Sequence, residues 1–420
     1  MKTLCKFLRA ALPMVVGMAA LPASAGGLIA PFSLESTAVM PKGIRNFRVS
    51  GFSTHVTDKY EANGAIVPLA HDFNKPVTWN ELIDSRPDEK VRGFLRGGLK
   101  SQGINLEEPI GDAHGLVNAR VTSTVPVFAY GLTDRITIGV GIPIVYSRTH
   151  VSTGWSISQK GQAQLDMLKM NGNGALIESY AQDLYNVVET KIASYGYKPL
   201  QGEEHTDIGD LTVALKILAH KEGRWAFAVS PKLVIPTGRE PDVDKVVDLA
   251  PGGGIWQSGL SGIVEFEASN RLSFVGSAGY TYQWGTEKPV RVPKSDSESI
   301  SPDIDWNAYK KLGDIRSVSA GAKYRFTELV SGGVGYTLAY KDKDNYNGRQ
   351  FASHRYRYLE DDTWQEMQSV LGSISFSTIS LYRAGKFPVP GDVSFALSSV
   401  IDGRNVTKST LAVFELAAYF

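Results

Sequence analysis

Apolar residues recur at every second position over most of this chain, the pattern of strands with one greasy face and one polar or glycine-rich face. Over 271–284 the even positions carry Leu272, Phe274, Ala278, Tyr280, Tyr282 and Trp284, and the odd ones Arg271, Ser273, Ser277, Thr281 and Gln283. Segment 135–146 sets Ile136, Ile138, Val140, Ile142 and Ile144 against Thr137, Gly139, Gly141 and Pro143, and 224–236 and 330–341 repeat the rhythm. The stretch 407–420 alternates strictly, with Ala412, Phe414, Leu416, Ala418 and Phe420 on one face and Glu415 on the other. Counting such segments predicts twelve strands, near 43–55, 118–130, 135–148, 208–220, 224–236, 258–269, 271–284, 314–326, 328–342, 366–382, 391–402 and 406–420.

These strands are long, close to the ~9–11 residues that cross a bilayer at a tilt. Tight turns fall at 131–134, 221–223, 269–270 and 327–328, with a longer one at 387–391, and polar loops lie between them at 56–117, 149–206, 237–257, 285–313 and 343–365. Short turns on one rim and long loops on the other imply an all-β fold: a transmembrane antiparallel up-and-down β-barrel with long extracellular loops. In hydrocarbon an unpaired strand edge leaves backbone donors and acceptors unsatisfied, so the sheet must join itself. A secreted β-sandwich also alternates, but it buries its apolar faces and needs no aromatics at strand ends. Here Tyr130, Trp225, Phe227, Tyr324, Phe326 and Tyr419 are expected near the short-turn rim, and Tyr146, Tyr282, Trp284 and Tyr340 near the loop rim. Two such belts suit the interfaces of a membrane. In the first strand Phe47, Val49 and Gly51 alternate with Arg48, Ser50 and Phe52, which leaves its lipid face open. The carboxy-terminal strand with its final Phe420 resembles the closing strand of bacterial outer-membrane barrels, which implies a signal read by the barrel-assembly machinery.

Lys2, Lys6 and Arg9, the apolar run 10–20 and the small residues Ala23-Ser24-Ala25 read as a secretory signal over 1–25. The run is too short for a membrane anchor. Cleavage takes the formal net charge from +1 to −2 and removes Cys5, the one cysteine, so disulfides and thiolate metal sites are excluded from the processed chain. With 44 basic against 43 acidic side chains, nothing favours nucleic acid. A mean hydropathy of −0.13 reads as soluble, but a barrel shows lipid only alternate residues. Residues 26–42 are expected to form a periplasmic segment or small plug ahead of a barrel at 43–420, in the outer membrane of a Gram-negative cell.

The inward phase holds Lys216, Arg224, Lys232, Glu265, Glu267, Arg271, Lys323, Arg325 and Glu415, charges that either line an aqueous path or pair and fill the interior. Val234, Leu218, Ile263, Val275, Leu411 and Val413 take the same phase, so the expected lumen suits small amphipathic or aromatic solutes better than salts. Pro126, Pro143, Pro231 and Pro236 each remove a ladder donor and read as bulges or strand ends. For Pro126 and Pro143, on the two arms of one hairpin, the sharper reading is a kink that opens the wall. Ile177, Tyr180, Leu184, Val187, Val188 and Ile192 recur at helical spacing and predict a surface helix in the loop 149–206. Asp242, Asp244 and Asp248 form a candidate cation-binding cluster. The seven histidines are scattered, with neither a His-Glu-x-x-His pattern nor a Gly-x-Ser-x-Gly elbow, so no enzymatic activity, metal or cofactor is expected.

Tyr130-Gly131-Leu132-Thr133-Asp134-Arg135, leading into the alternation from Ile136 to Pro143, resembles a hairpin of outer-membrane "transporter" proteins grouped with meta-pathway phenol-degradation proteins. Asp207-Ile208-Gly209-Asp210-Leu211, with Ile235-Pro236-Thr237-Gly238-Arg239, is similar to a second block of that family. The resemblance implies a barrel for passive uptake of small aromatic or other hydrophobic molecules into the periplasm, with outer-membrane lipid and small solutes as its partners. It carries over no substrate residues, and the long loops 56–117 and 149–206 depart from the family's compact pattern. The alternatives are a filled barrel presenting its loops to a partner, and a general porin.

Overall fold

The computed structural model describes residues 27–71, 74–84, 89–168, 170, 192–295 and 300–420. Twelve antiparallel strands close into an up-and-down barrel. They are β1 (Arg45–Val56), β2 (Pro109–Thr133), β3 (Ile136–Gly141 and Ile144–Ile157), β4 (Leu211–Glu222, prolonged outward by Glu204–Ile208), β5 (Trp225–Ile235) and β6 (Gln257–Glu267). There follow β7 (Leu272–Gln283), β8 (Ile315–Arg325), β9 (Val330–Lys341), β10 (Gln365–Ser377), β11 (Gly391–Arg404) and β12 (Thr410–Tyr419). Each strand pairs with its neighbours in sequence, and β1 pairs with both β2 and β12, so the ring has no edge. Among the described residues no helix is long and apolar enough to cross a membrane. The crossing is made by strands, which places the protein in the outer membrane of a Gram-negative bacterium.

Alternation sets the two faces. On β12, Phe414 and Leu416 are half-exposed while Leu411 and Val413 are buried. The outward set on β3, Val140, Ile142 and Ile144, is likewise exposed, as are Trp225, Phe227, Tyr324 and Phe326 at the short-turn rim and Tyr282, Trp284 and Tyr340 at the loop rim. On β1 the polar phase faces inward: Asn46, Arg48, Ser50 and Phe52 are buried and Phe47 is exposed. Tyr419 departs from the expected girdle. It sits opposite in phase to Phe420 and turns inward, where its hydroxyl donates to Asp392 Oδ2 at 2.6 Å.

Three strand boundaries also differ from expectation. The tail of the tenth strand, expected to 382, ends at Ser377, and Ile379–Arg383 is helical. β9 begins at Val330, so residues beyond Ser377 have no ladder partner there, and Thr378 Oγ1 bonds to Val389 O and Gly391 N instead. Val406–Lys408 leaves the barrel to pair with Asp58–Tyr60, and β2 and β3 rise together well above β1, with Lys75–Thr78 paired to β2 there. The helix expected around 177–192 lies, apart from Ile192, outside the described residues. Beyond the loop rim, Thr286–Val292, Asp303–Lys311 and Asn345–Asn347 form a small separate sheet.

A charge forced onto the lipid face tests this placement. Leu397→Arg, near mid-span on β11, is expected to cost about 2–4 kcal/mol, and Ile401→Arg, nearer the loop rim, about 0–1 kcal/mol. Equal costs in denaturant unfolding from lipid vesicles would contradict a membrane-spanning β11.

Candidate functional site

Residues 28–42 run through the barrel from the loop rim to the turn rim. At the top, the Leu28 amide donates to Gln365 Oε1 at 2.7 Å, and Leu28 and Ala30 pack with Met367, Val406 and Leu411. Lower down, Phe32 stacks on Phe52 with ring centroids 5.3 Å apart. Leu34 packs against Ala228, Ile263 and Val275, and its methyls fill the room left by Gly321, Gly333 and Gly335. A Cβ on Gly335 would collide with Leu34 Cδ2 and with nothing else closely, so the small residues of β8 and β9 form a seat for this side chain. Near the turn rim the Met40 amide donates to Thr137 Oγ1 at 2.8 Å and the Lys42 amide to Asp134 Oδ1 at 3.0 Å.

An extended segment cannot satisfy its own backbone, so its polar groups need partners from the wall. Lys216, almost wholly buried, donates to Ser36 O at 2.8 Å, and Lys323 donates to Glu35 O at 2.7 Å. Glu265 accepts from the Thr37 amide and hydroxyl at 3.3 and 3.0 Å and lies 3.7 Å from Lys323. Across the lumen, Arg48 pairs with Glu415 at 3.1 Å, and Ser50 donates to the same carboxylate at 3.0 Å. Around Ser36 and Thr37 the segment therefore meets a charged layer, interleaved with the apolar seat of Leu34, and nearer the loop rim it meets the apolar cluster of Met367, Val406 and Leu411.

Of the charges named from sequence, Lys216, Glu265, Lys323 and Glu415 come together in this layer. Lys232 lays its stem against Gly259 on the same wall. Arg224, Glu267, Arg271 and Arg325 are exposed at the turn rim, where Arg224 and Arg325 donate to Ala268 O and Asn270 O. Arg48, Glu35 and Leu34 were not singled out by sequence. Arg48 belonged to the strand whose phase was open, and an unpaired extended segment carries no periodic signal.

The wall is broken at one level. β3 is interrupted at Ile142–Pro143 and β4 at Gly209–Asp210 directly across from it, and the register slips by one residue between the lower ladder (Gly141↔Thr212) and the upper one (Ile144↔Ile208). Pro126, by contrast, stays within an unbroken β2, paired with Val49, and its carbonyl accepts from the Ile142 amide at 3.3 Å. One bond bridges the break: the Gly209 amide donates to Pro143 O at 2.8 Å. Exposed Ile142, Ile144 and Ile208 surround it on the lipid face.

The segment after β5 closes over this break. Buried Asp210 accepts from the Gly238 and Gly253 amides at 2.9 and 3.0 Å. A Cβ at Gly238 would lie 2.8 Å from Gly209 C, and one at Gly252 would lie 2.7 Å from Gly238 C, so only glycines let these three backbones stack. Arg239 then forks to Asp248 at 2.8 and 2.9 Å and reaches Asp207 at 2.7 Å. Asp242 pairs with Lys198 and Asp244 with Arg291. The three aspartates are thus each held by a cation of the protein. They do not form the cation site their spacing suggested, and no metal-binding group occurs among the described residues. Burial pushes the Asp248 carboxyl up, but the Arg239 guanidinium and the Asp242 amide outweigh it and hold the group below its usual range.

A family model described as "Putative MetA-pathway of phenol degradation" matches residues 165–360, just under half of the chain and inclusive of the block that meets at the break. No curated protein matches the sequence. Among solved structures, an outer membrane channel from Pseudomonas putida F1 is similar at TM-score 0.52 and 11% identity, covering 92% of this chain and 99% of its own. This likeness shows the fold. The CymD monoaromatic hydrocarbon channel (TM-score 0.34, 12% identity, 97% of this chain and 98% of that one) and the Pseudomonas putida toluene transporter TodX (0.31, 9%, 90% and 89%) are more distant.

Two outcomes are expected from this geometry. Gly335→Ala evicts Leu34 at a cost of about 1–3 kcal/mol, and planar-bilayer recordings should show a larger, noisier current; an unchanged current would mean the segment does not need this seat. Asp248, whose folded pKa is depressed, contributes stability above its unfolded pKa and loses it as pH falls through the folded value. Protection of the Asp242 amide against hydrogen exchange, corrected for intrinsic rate, should hold from neutral pH to roughly pH 4 and fall below it. Protection that persists at still lower pH would remove Asp248 as its anchor.

Proposed function

We propose that the protein is an outer-membrane channel that admits small hydrophobic, chiefly aromatic, molecules by passive diffusion, with residues 28–42 as a plug. The observation that carries this reading is the break shared by β3 and β4, the one interruption of the wall among the described residues, with isoleucines exposed around it. A solute held by the apolar cluster near the loop rim meets the charged layer around Ser36 and Thr37 below it, where its transfer is unfavourable. The break offers that solute a sideways exit lined by isoleucines. The fold shared with the Pseudomonas putida F1 channel and the family's link to phenol degradation support the same reading. It assigns no chemistry to any side chain, and solute movement needs none.

The filled interior also favours a second reading, a structural barrel that displays its loops. Flux separates the two. In proteoliposomes the channel reading expects uptake of toluene or phenol above lipid-only vesicles, and no protein-dependent flux would leave only the structural barrel. Pro143→Ala, which restores a ladder donor at the break, should slow aromatic uptake while leaving ion current unchanged. Equal effects on both would count against the sideways exit.

A further inference from the structure

Beyond the loop rim the small sheet and the segments around Tyr197 and Val243–Val246 border an open-sided cavity of about 280 Å³, and none of its lining residues belongs to a barrel strand. Pro289, Val290 and Ile300 give it an apolar wall, Tyr197 and Tyr346 bring rings, and Lys245 and Lys310 bring ammonium groups.

The cations around this cavity are not equivalent. Arg291 is fully engaged: it donates to Val243 O at 2.8 Å, Tyr195 O at 2.7 Å, Gly196 O at 3.2 Å and Asp244 at 2.7 Å, and it stacks over Tyr197 at 3.7 Å. It builds the wall and has no capacity left for a ligand. Lys245 is held by Glu203 at 2.5 Å. The side chain of Lys310, half-buried, makes no hydrogen bond or ion pair among the described residues. The carboxylates that act on it, Asp344 and Glu240, are already committed, to Lys341 and, at 2.6 and 2.7 Å, to Lys288. Burial pushes the Lys310 ammonium below its usual range, an effect that Asp344 and Glu240 offset only in part.

An ammonium without an ion-pair partner among the described residues, beside apolar side chains, suits an amphipathic monoanion. The volume lies at the lower edge of the ~300–1,000 Å³ typical of small-molecule pockets, which limits the ligand to about one ring. A phosphate would leave the apolar wall uncovered and find no guanidinium fork to match it. We propose that this cavity binds a small organic carboxylate, its charged end on Lys310 and its apolar body against Pro289, Val290 and Ile300. The site is separate from passage through the barrel, so it stands or falls by equilibrium binding whatever solute flux shows.

The test uses the full folded barrel in detergent, with benzoate and its neutral counterpart benzyl alcohol followed by equilibrium dialysis. Benzoate is expected to bind about tenfold or more tighter than benzyl alcohol. Lys310→Met should abolish that preference, and Lys310→Arg should keep most of it. Equal binding of the two probes by the native protein, or undiminished benzoate binding by Lys310→Met, overturns the assignment. Heat-modifiable gel mobility reports whether each variant folds. If Lys310→Met does not, Val290→Trp fills the cavity from the neighbouring strand, and benzoate binding retained in that variant overturns the assignment equally.

Discussion

Every backbone donor and acceptor inside a bilayer must find a protein partner, and the architecture of this chain follows from that requirement. It closes the ring through β1, whose one edge is taken by β12 and the other by β2. It also governs the exception. Where Pro143 removes a donor from β3, the opposite strand bulges at Gly209 and Asp210, and the groups set free are taken up by Pro143 O, by the Gly238 and Gly253 amides and by Asp210 itself. The break is a re-satisfied discontinuity in the ladder, weaker than the sheet around it and without an open edge.

The same requirement explains why a lumen with so many charges is not lined for water. An extended segment inside a barrel brings carbonyls and amides that no strand pairs. Lys216 and Lys323 give their protons to Ser36 O and Glu35 O, and Glu265 accepts from Thr37. Those side chains act as backbone partners, and their charge is spent locally, with the Arg48–Glu415 pair completing the layer. Removing one partner from such a layer leaves another buried and unmatched, which costs more than a surface pair would.

Strand positions were legible in the sequence because lipid on one side and lumen on the other enforce a period of two with little ambiguity. Val140, Ile142 and Ile144 read outward in the sequence and are exposed in the structure, and the twelve strands fall within a few residues of their expected places except where tertiary pairing intervenes. Ile379–Arg383 looks like strand locally and becomes helix because its neighbour ends. Tyr419 has the aromatic character of a girdle residue, but its phase turns it inward onto Asp392. The threaded segment was not legible in detail, since Leu34 is selected by absent side chains at Gly321, Gly333 and Gly335 on remote strands. Alternation treats such glycines as neutral positions, whereas here the space they leave is the feature.

The two motif blocks that stood out by resemblance turn out to be parts of one junction. Tyr130–Arg135 forms the turn beneath the arm that carries Pro143. Asp207 to Asp210 forms the facing break, and Gly238-Arg239 supplies the amide and guanidinium that close over it. Residues so far apart in sequence meet where the ladder is weakest, and they use groups with few substitutes: a proline, three stacked glycines, a buried carboxylate and a forked arginine. A barrel that only needed to be stable would replace this junction with uninterrupted ladder. Its cost in strand pairing is intelligible if the wall must yield at this one place, as the proposed sideways exit requires.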